Sequence, residues 1–239
     1  MAFATSNRSD QLFTTAATSY TVTLPTLNSG DLILVSTTVR EGASVEPSGY
    51  TLIQEVGRNK YCWISLFAKI SDGTETSAVV TNGSSSVCAA IVYKISGWGG
   101  SVSSDIDSGR LSALSSTSPS IGLTAGWGAD DNLVVSFCGA GDDSATFDTF
   151  PSGFTDTFQD KTDTGRNSSV ANATCQKEIT TDSTTVSSYS LSETEAIGAI
   201  AVIIKPGTSG GGATGPNTPI NTSITDLLAT SARLNWEQG

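Results

Sequence analysis

Apolar residues in this chain fall either in strict alternation or in short unbroken blocks, and no segment holds a helical period beyond two turns. Tyr20-Thr21-Val22-Thr23-Leu24 alternates with period two and stops at Pro25, which predicts a half-buried strand. Gly30-Asp31-Leu32-Ile33-Leu34-Val35-Ser36 is nearly all apolar, as a strand covered on both faces or lying mid-sandwich would be. A polar loop from Val39 to Glu46 leads to Pro47-Ser48-Gly49-Tyr50-Thr51. There Pro47 presets φ and Gly49 supplies a permissive backbone for a turn into the next strand. Tyr61 to Ile70 places Tyr61, Trp63, Ser65 and Phe67 on one face and Cys62, Ile64, Leu66 and Ala68 on the other, so both faces are expected to be largely covered. Asn82-Gly83 carries hairpin-turn chemistry before the run from Val87 to Ile95. Residues 1–12 have the pattern of a polar arm, and the Ser- and Gly-rich stretch from Gly97 to Ser118 that of a connection.

The order then recurs. Asp131-Asn132-Leu133-Val134-Val135-Ser136 and Pro151-Ser152-Gly153-Phe154-Thr155 echo the first strand and turn, about a hundred residues on. Gly57-Arg58-Asn59 returns as Gly165-Arg166-Asn167, and the closing strand Cys88 to Ser96 as Ile197 to Lys205. The segment around Val170 to Ile179 matches the Tyr61–Ile70 strand but is far more polar, which predicts an edge or solvent-facing strand. The pattern therefore predicts an all-β chain: a β-sandwich over residues 1–206 with jelly-roll or Greek-key connections, built from a pseudo-repeat at 13–97 and 118–206. Two separate small sandwiches are the alternative. A Gly-rich linker at 207–217 follows, then a segment at 218–239.

Composition supports the same class, being rich in Ser, Thr, Gly and Val and poor in helix formers. The net charge of −11, with no His, sets the chain against nucleic-acid phosphates and anionic membranes, so neither nucleic-acid binding nor membrane insertion is expected. Residues 1–8 show no basic and apolar export signal, which predicts synthesis in a cytoplasm. Cys62, Cys88 and Cys138 lie inside apolar strands and suit buried free thiols; with Cys175, two disulfides remain possible by count.

The chemistry available is narrow. Without His, Ser-His-Asp and Cys-His catalysis and the usual zinc sites are excluded, and there is no phosphate-binding glycine motif. Glu41, Glu46, Glu55, Asp142 and Asp143 are the carboxylates that glycoside hydrolysis would draw on, but all lie in polar loops or at strand ends, as solvated charge does. Asp156, Asp160 and Asp163, with Asp142 and Asp143, offer oxygens for Ca²⁺ without the spacing of a known loop, and Asp105 and Asp107 offer no more. No enzyme, cofactor or metal is expected. Trp98, Trp127, Phe147 and Phe150 lie in or beside loops, where they would either stack on a glycan or partner or cap the ends of the sandwich.

At Gly30-Asp31-Leu32-Ile33, Pro47-Ser48-Gly49-Tyr50-Thr51 and Phe67-Ala68-Lys69-Ile70, the chain resembles a family of tailed-bacteriophage virion proteins, the capsid-decorating and tail-fibre components. The resemblance covers roughly residues 13–206. Ile224 to Trp236 is similar to the first two strands of a fibronectin type III module, and the chain ends before such a module is complete. That ending is expected to mark a fragment of a longer chain, or a tail that folds only against a partner. The phage resemblance implies a non-enzymatic structural protein on the virion, often a homotrimer, bound to other virion proteins and displaying a distal domain for host attachment, with host surface glycans as a further partner. The alternative is a carbohydrate-binding module of a multidomain exported protein, using Trp98 and Trp127.

Overall fold

In the computed structural model the described residues are 7–58, 61–141, 145–165 and 168–207, and among them every regular element is a β-strand. The first half supplies β1 (Asn7–Thr23), β2 (Leu32–Val39), β3 (Ser44–Val45), β4 (Thr51–Arg58), β5 (Cys62–Ile70) and β6 (Ser77–Ile95). The second supplies β7 (Ile106–Thr117), β8 (Ile121–Thr124), β9 (Asn132–Ala140), β10 (Phe147–Thr149), β11 (Thr155–Lys161), β12 (Ala171–Ile179), β13 (Ser183–Val186) and β14 (Ser190–Ile204). The linker beyond Gly207 and the fibronectin-like segment at 218–239 lie outside the described residues.

The repeat seen in the sequence is a repeat of topology. One antiparallel sheet runs β6-β2-β5-β4 and the other β14-β9-β12-β11; β1 lies against β6, and β7 against β14. The short β3 pairs with β6 just where the short β10 pairs with β14. The two Pro-Ser-Gly turns close alike: Tyr50 N–H donates to Pro47 O at 3.0 Å and Phe154 N–H to Pro151 O at 3.3 Å. Gly49 and Gly153 take φ of 79° and 77°, the position of a type II turn that only glycine enters without strain. Both turns lead into a strand with a register shift near its start, between Leu52 and Gln54 and between Thr155 and Phe158.

The two sheets stack face to face. Between them lie Leu32, Leu34, Ile64, Leu66, Ile91 and Tyr93 from one and Leu133, Val135, Phe137, Ile200, Val202 and Ile204 from the other. Gly198 and Gly139 let the layers approach: a Cβ on the first would sit 2.7 Å from Ile64 Cγ2, and on the second 2.7 Å from Thr38 Cγ2. The outer face of each sheet is covered too. In the first half β1 and β6 double back, trapping Val22, Val80, Ile33, Val35, Tyr50 and Phe67. In the second, β8 and β13 do the same over Val134, Cys138, Cys175, Phe147 and Tyr189. Coverage on both sides is why every residue of β2 and of β9 is buried.

The two repeats meet about a pseudo-two-fold axis. Arg8 opposes Tyr93 as Ser108 opposes Val202, and Gln54 opposes Leu66 as Phe158 opposes Thr174. Across the corners of the sandwich these equivalent positions meet reciprocally. The Arg8 guanidinium stands 4.6 Å over the Phe158 ring, and Gln54 Nε2 donates to Ser108 Oγ at 3.0 Å. Such reciprocity is the property of an isologous contact.

Five expectations from the pattern fail, each for a physical reason. Residues 7–12 begin β1 instead of forming an arm, because they pair with Ala89 to Lys94 of β6. The stretch Gly97 to Ser118 holds the twelve residues of β7, an edge strand whose pattern is blurred because none of its side chains is buried. Asn82-Gly83 makes no hairpin; β6 runs through it, and a register shift between Ala17 and Ser19 absorbs the extra residues where the ribbon bends. β12 is interior, paired by β9 and β11, and its polar Asn172 and Thr174 are buried. Thr174 Oγ1 donates to Ser136 O at 2.8 Å and lies 3.1 Å from Tyr93 Oη, so its hydroxyl is satisfied without water. Gly57 lies in β4 whereas Gly165 lies in the loop after β11, so that part of the echo is not structural.

Candidate functional site

Trp98 stands three positions past the end of β6, and the residue is 2% exposed at the end of the inter-sheet core. Its Nε1–H donates to Lys205 O at 2.7 Å, just past the end of β14. Lys205 N–H donates in turn to Asp105 O at 2.9 Å, and Lys205 Nζ lies 3.9 Å from Asp105 Oδ1. The last described residues are thereby fastened to the loop between β6 and β7. A ring so buried offers no face to a sugar.

The other three aromatics belong to the second repeat. Phe147 is buried and packs edge-on against Tyr189 with ring centres 5.8 Å apart, and half-buried Phe150 meets the same ring at 5.6 Å. Trp127 packs partly buried on the same core, its Nε1–H donating to Asn132 Oδ1 at 2.9 Å. The four residues therefore do not converge: Trp98 sits in the inter-sheet core and the others around the outer core of the second repeat.

The carboxylates disperse in the same way. Glu41 and Glu46 are exposed in the loop around β3, while Glu55 is half-buried on β4, with its carbonyl accepting from Arg110. Asp142 and Asp143 lie outside the described residues. Asp156 pairs with Arg8 at 2.8 Å, Asp160 Oδ1 accepts from Lys161 N–H, and Asp107 Oδ1 accepts from Ser108 N–H. Asp105 Oδ2 accepts from Ser101 N–H. Among the described residues no three His, Cys, Asp or Glu side chains come together to hold a metal ion. An open depression of about 370 Å³ lies beside the second-repeat turn, lined by Asp131, Lys177, Glu178, Ile179, Thr180 and Thr181.

All four cysteines are buried free thiols, Cys175 included. Burial pushes the thiols of Cys62 and Cys175 up to about 12 and those of Cys88 and Cys138 also upward, so none is a ready nucleophile.

One carboxylate does carry a large shift. Burial alone would raise Glu75, but bonds from Lys69 Nζ at 2.7 Å, Ser71 Oγ at 2.6 Å and Asp72 N–H at 3.2 Å outweigh it and hold the group at about 2. Its folded value is below its unfolded one, so its stabilisation is whole above about pH 4.5 and is lost as pH falls toward 2. The melting temperature of Glu75→Gln is expected to lie below that of the parent at pH 6 and to converge with it near pH 2. A constant gap over that range would contradict the assignment.

The features that sequence reasoning missed are the fastening of Lys205 and the pinning roles of Asp31 and Asn132 at the starts of β2 and β9. Comparison with protein-family models, with curated proteins and with solved structures finds no match.

Proposed function

We propose that the chain is a non-enzymatic structural component of a tailed-bacteriophage particle, attached to capsid or tail, whose β-sandwich holds a further segment out toward the host surface. The observation that carries this reading is the fastened root of the linker. Trp98 ties Lys205 to the inter-sheet core, and a Gly-rich sequence begins two residues later. A body whose two sheets are each covered on both faces has little freedom to change shape, which suits a pedestal better than a catalyst. The acidic, Ser- and Thr-rich composition fits a surface that faces solvent. The sugar-binding alternative relied on Trp98 and Trp127, and the first of these has no exposed face.

The test is to purify particles of a phage that carries the gene. Peptide mass spectrometry should find the chain in the particles, and gold-labelled antibody against residues 7–207 should decorate capsid or tail. A chain found only in the lysate, with particles free of it, overturns the proposal.

A further inference from the structure

β7 is an edge strand. It pairs with β14 on one side, and over its twelve residues no side chain is buried. Edge strands of this length normally carry Lys, Pro or a covering segment, because their outward N–H and C=O groups form a template for another strand. β7 has neither Lys nor Pro. At its start it lies beside β4, where Gln54 bonds Ser108 and Arg110 reaches the Glu55 carbonyl. From Leu111 onward it instead presents Leu111, 43% exposed, and Leu114, 60% exposed.

The other repeat shows what a guarded edge looks like. β1 occupies the equivalent place, with Gln11 opposite Ala90 as Leu111 is opposite Ala199. Gln11 folds its amide onto its own ribbon: Nε2 donates to Thr23 O and Oε1 accepts from Thr23 N–H, both at 2.8 Å. Nearby stand Arg8, paired with Asp156, and the exposed charge of Asp10. In β7 the position of that clamp is filled by a leucine, which has no group to make either bond.

Charge selects the occupant. The chain carries −11, yet from Leu111 through Ala129 it has no charged residue. The edges of the opposite strands carry charge of both signs, Glu55 and Arg58 on β4 and Asp156, Asp160 and Lys161 on β11. Two copies of an acidic protein repel wherever carboxylates face each other, and they meet without that repulsion along a neutral strip.

We propose that β7 is the contact surface for a second copy of this chain. The two β7 strands pair antiparallel about a two-fold axis, continuing the β11-β12-β9-β14-β7 sheet into its partner and placing Leu111 on one face of the joined sheet and Leu114 on the other, each beside its cross-strand neighbour. Backbone bonds supply the register and the leucines the buried apolar area. This contact goes beyond the virion reading and stands without it.

The full 239-residue chain should show twice its monomer mass by light scattering at micromolar concentration. Leu114→Lys, which places a charge on each side of the axis, should return it to the monomer mass with an unchanged circular dichroism spectrum. Leu111→Gln should weaken the dimer at least tenfold, and together the two variants guard against an effect peculiar to lysine. A monomeric parent, a dimer that survives Leu114→Lys, or a trimer, which a two-fold strand pairing cannot close, would each overturn the proposal.

Discussion

Trp98→Ala is expected to destabilise the sandwich by about 3–5 kcal/mol, the usual cost of emptying a buried aromatic site. Two losses combine. The indole leaves a cavity at the end of the inter-sheet core, among residues of both repeats, where neighbouring strands are held by their own ladders and cannot collapse into it. The bond from Nε1–H to Lys205 O at 2.7 Å also goes, which frees the end of the described chain. Trp98→Phe separates the two effects: most of the apolar ring stays, and the loss should fall to about 1–2 kcal/mol. The readouts are a denaturant midpoint for stability and amide exchange at Lys205, whose N–H is bonded to Asp105 O. Both variants should speed exchange at Lys205 because both lose the indole donor. Slow exchange in Trp98→Phe would mean that ring packing alone fastens the linker root.

What the sequence made legible was whatever depends on local pattern. β2 and β9 announced themselves as strands of the interior because nothing polar interrupts Leu32 to Val35 or Leu133 to Val135. The Pro-Ser-Gly turns were legible because a left-handed glycine after a proline leaves few alternatives. β12 was misread because its burial depends on a partner 81 residues away: Tyr93 Oη meets Thr174 Oγ1, and no spacing within β12 encodes that. β7 escaped because an edge strand exposed on several sides has no period to show. Asn82-Gly83 has the composition of a turn but lies where β6 bends, and Asn82 Oδ1 accepts a bond from Ser44 Oγ there. Trp98 looked like a loop aromatic because its burial comes from the Lys205 end of the chain, 107 residues on. The run Gly97-Trp98-Gly99-Gly100 was the available signal, since glycines beside a large ring permit close packing around it.

Asp31→Ala should cost a similar amount, about 3–5 kcal/mol, through stranded polar groups. Asp31 opens the strand that the first repeat is built around, and its side chain is almost wholly buried. Oδ2 accepts from Asn28 N–H at 2.8 Å and Oδ1 from Gly97 N–H at 2.9 Å, while Lys94 Nζ stands 3.3 Å from Oδ2. One carboxylate thus ties the turn before β2 to the exit of β6. Removing it leaves the Asn28 and Gly97 amide donors without their acceptor and takes the counter-charge from Lys94 Nζ, which keeps only its bond to Thr26 O at 2.8 Å, and desolvation of such groups is not recovered elsewhere. The second repeat solves the same problem with a neutral residue. Asn132, placed before Leu133 as Asp31 is before Leu32, accepts from Trp127 Nε1–H and donates from Nδ2 to Thr181 O at 3.0 Å. The surroundings therefore dictate the residue: donors alone around position 31, a donor and a carbonyl around position 132. Asp31→Asn should consequently cost about 1–3 kcal/mol, because its NH₂ must face a donor. Asn132→Asp should also destabilise, because a carboxylate would face the Thr181 carbonyl. Urea titration with an unchanged slope is the measurement, and a melting shift of roughly 10 °C should accompany Asp31→Ala. If Asp31→Ala cost less than Asp31→Asn, the pin would owe its effect to shape and not to its three donors.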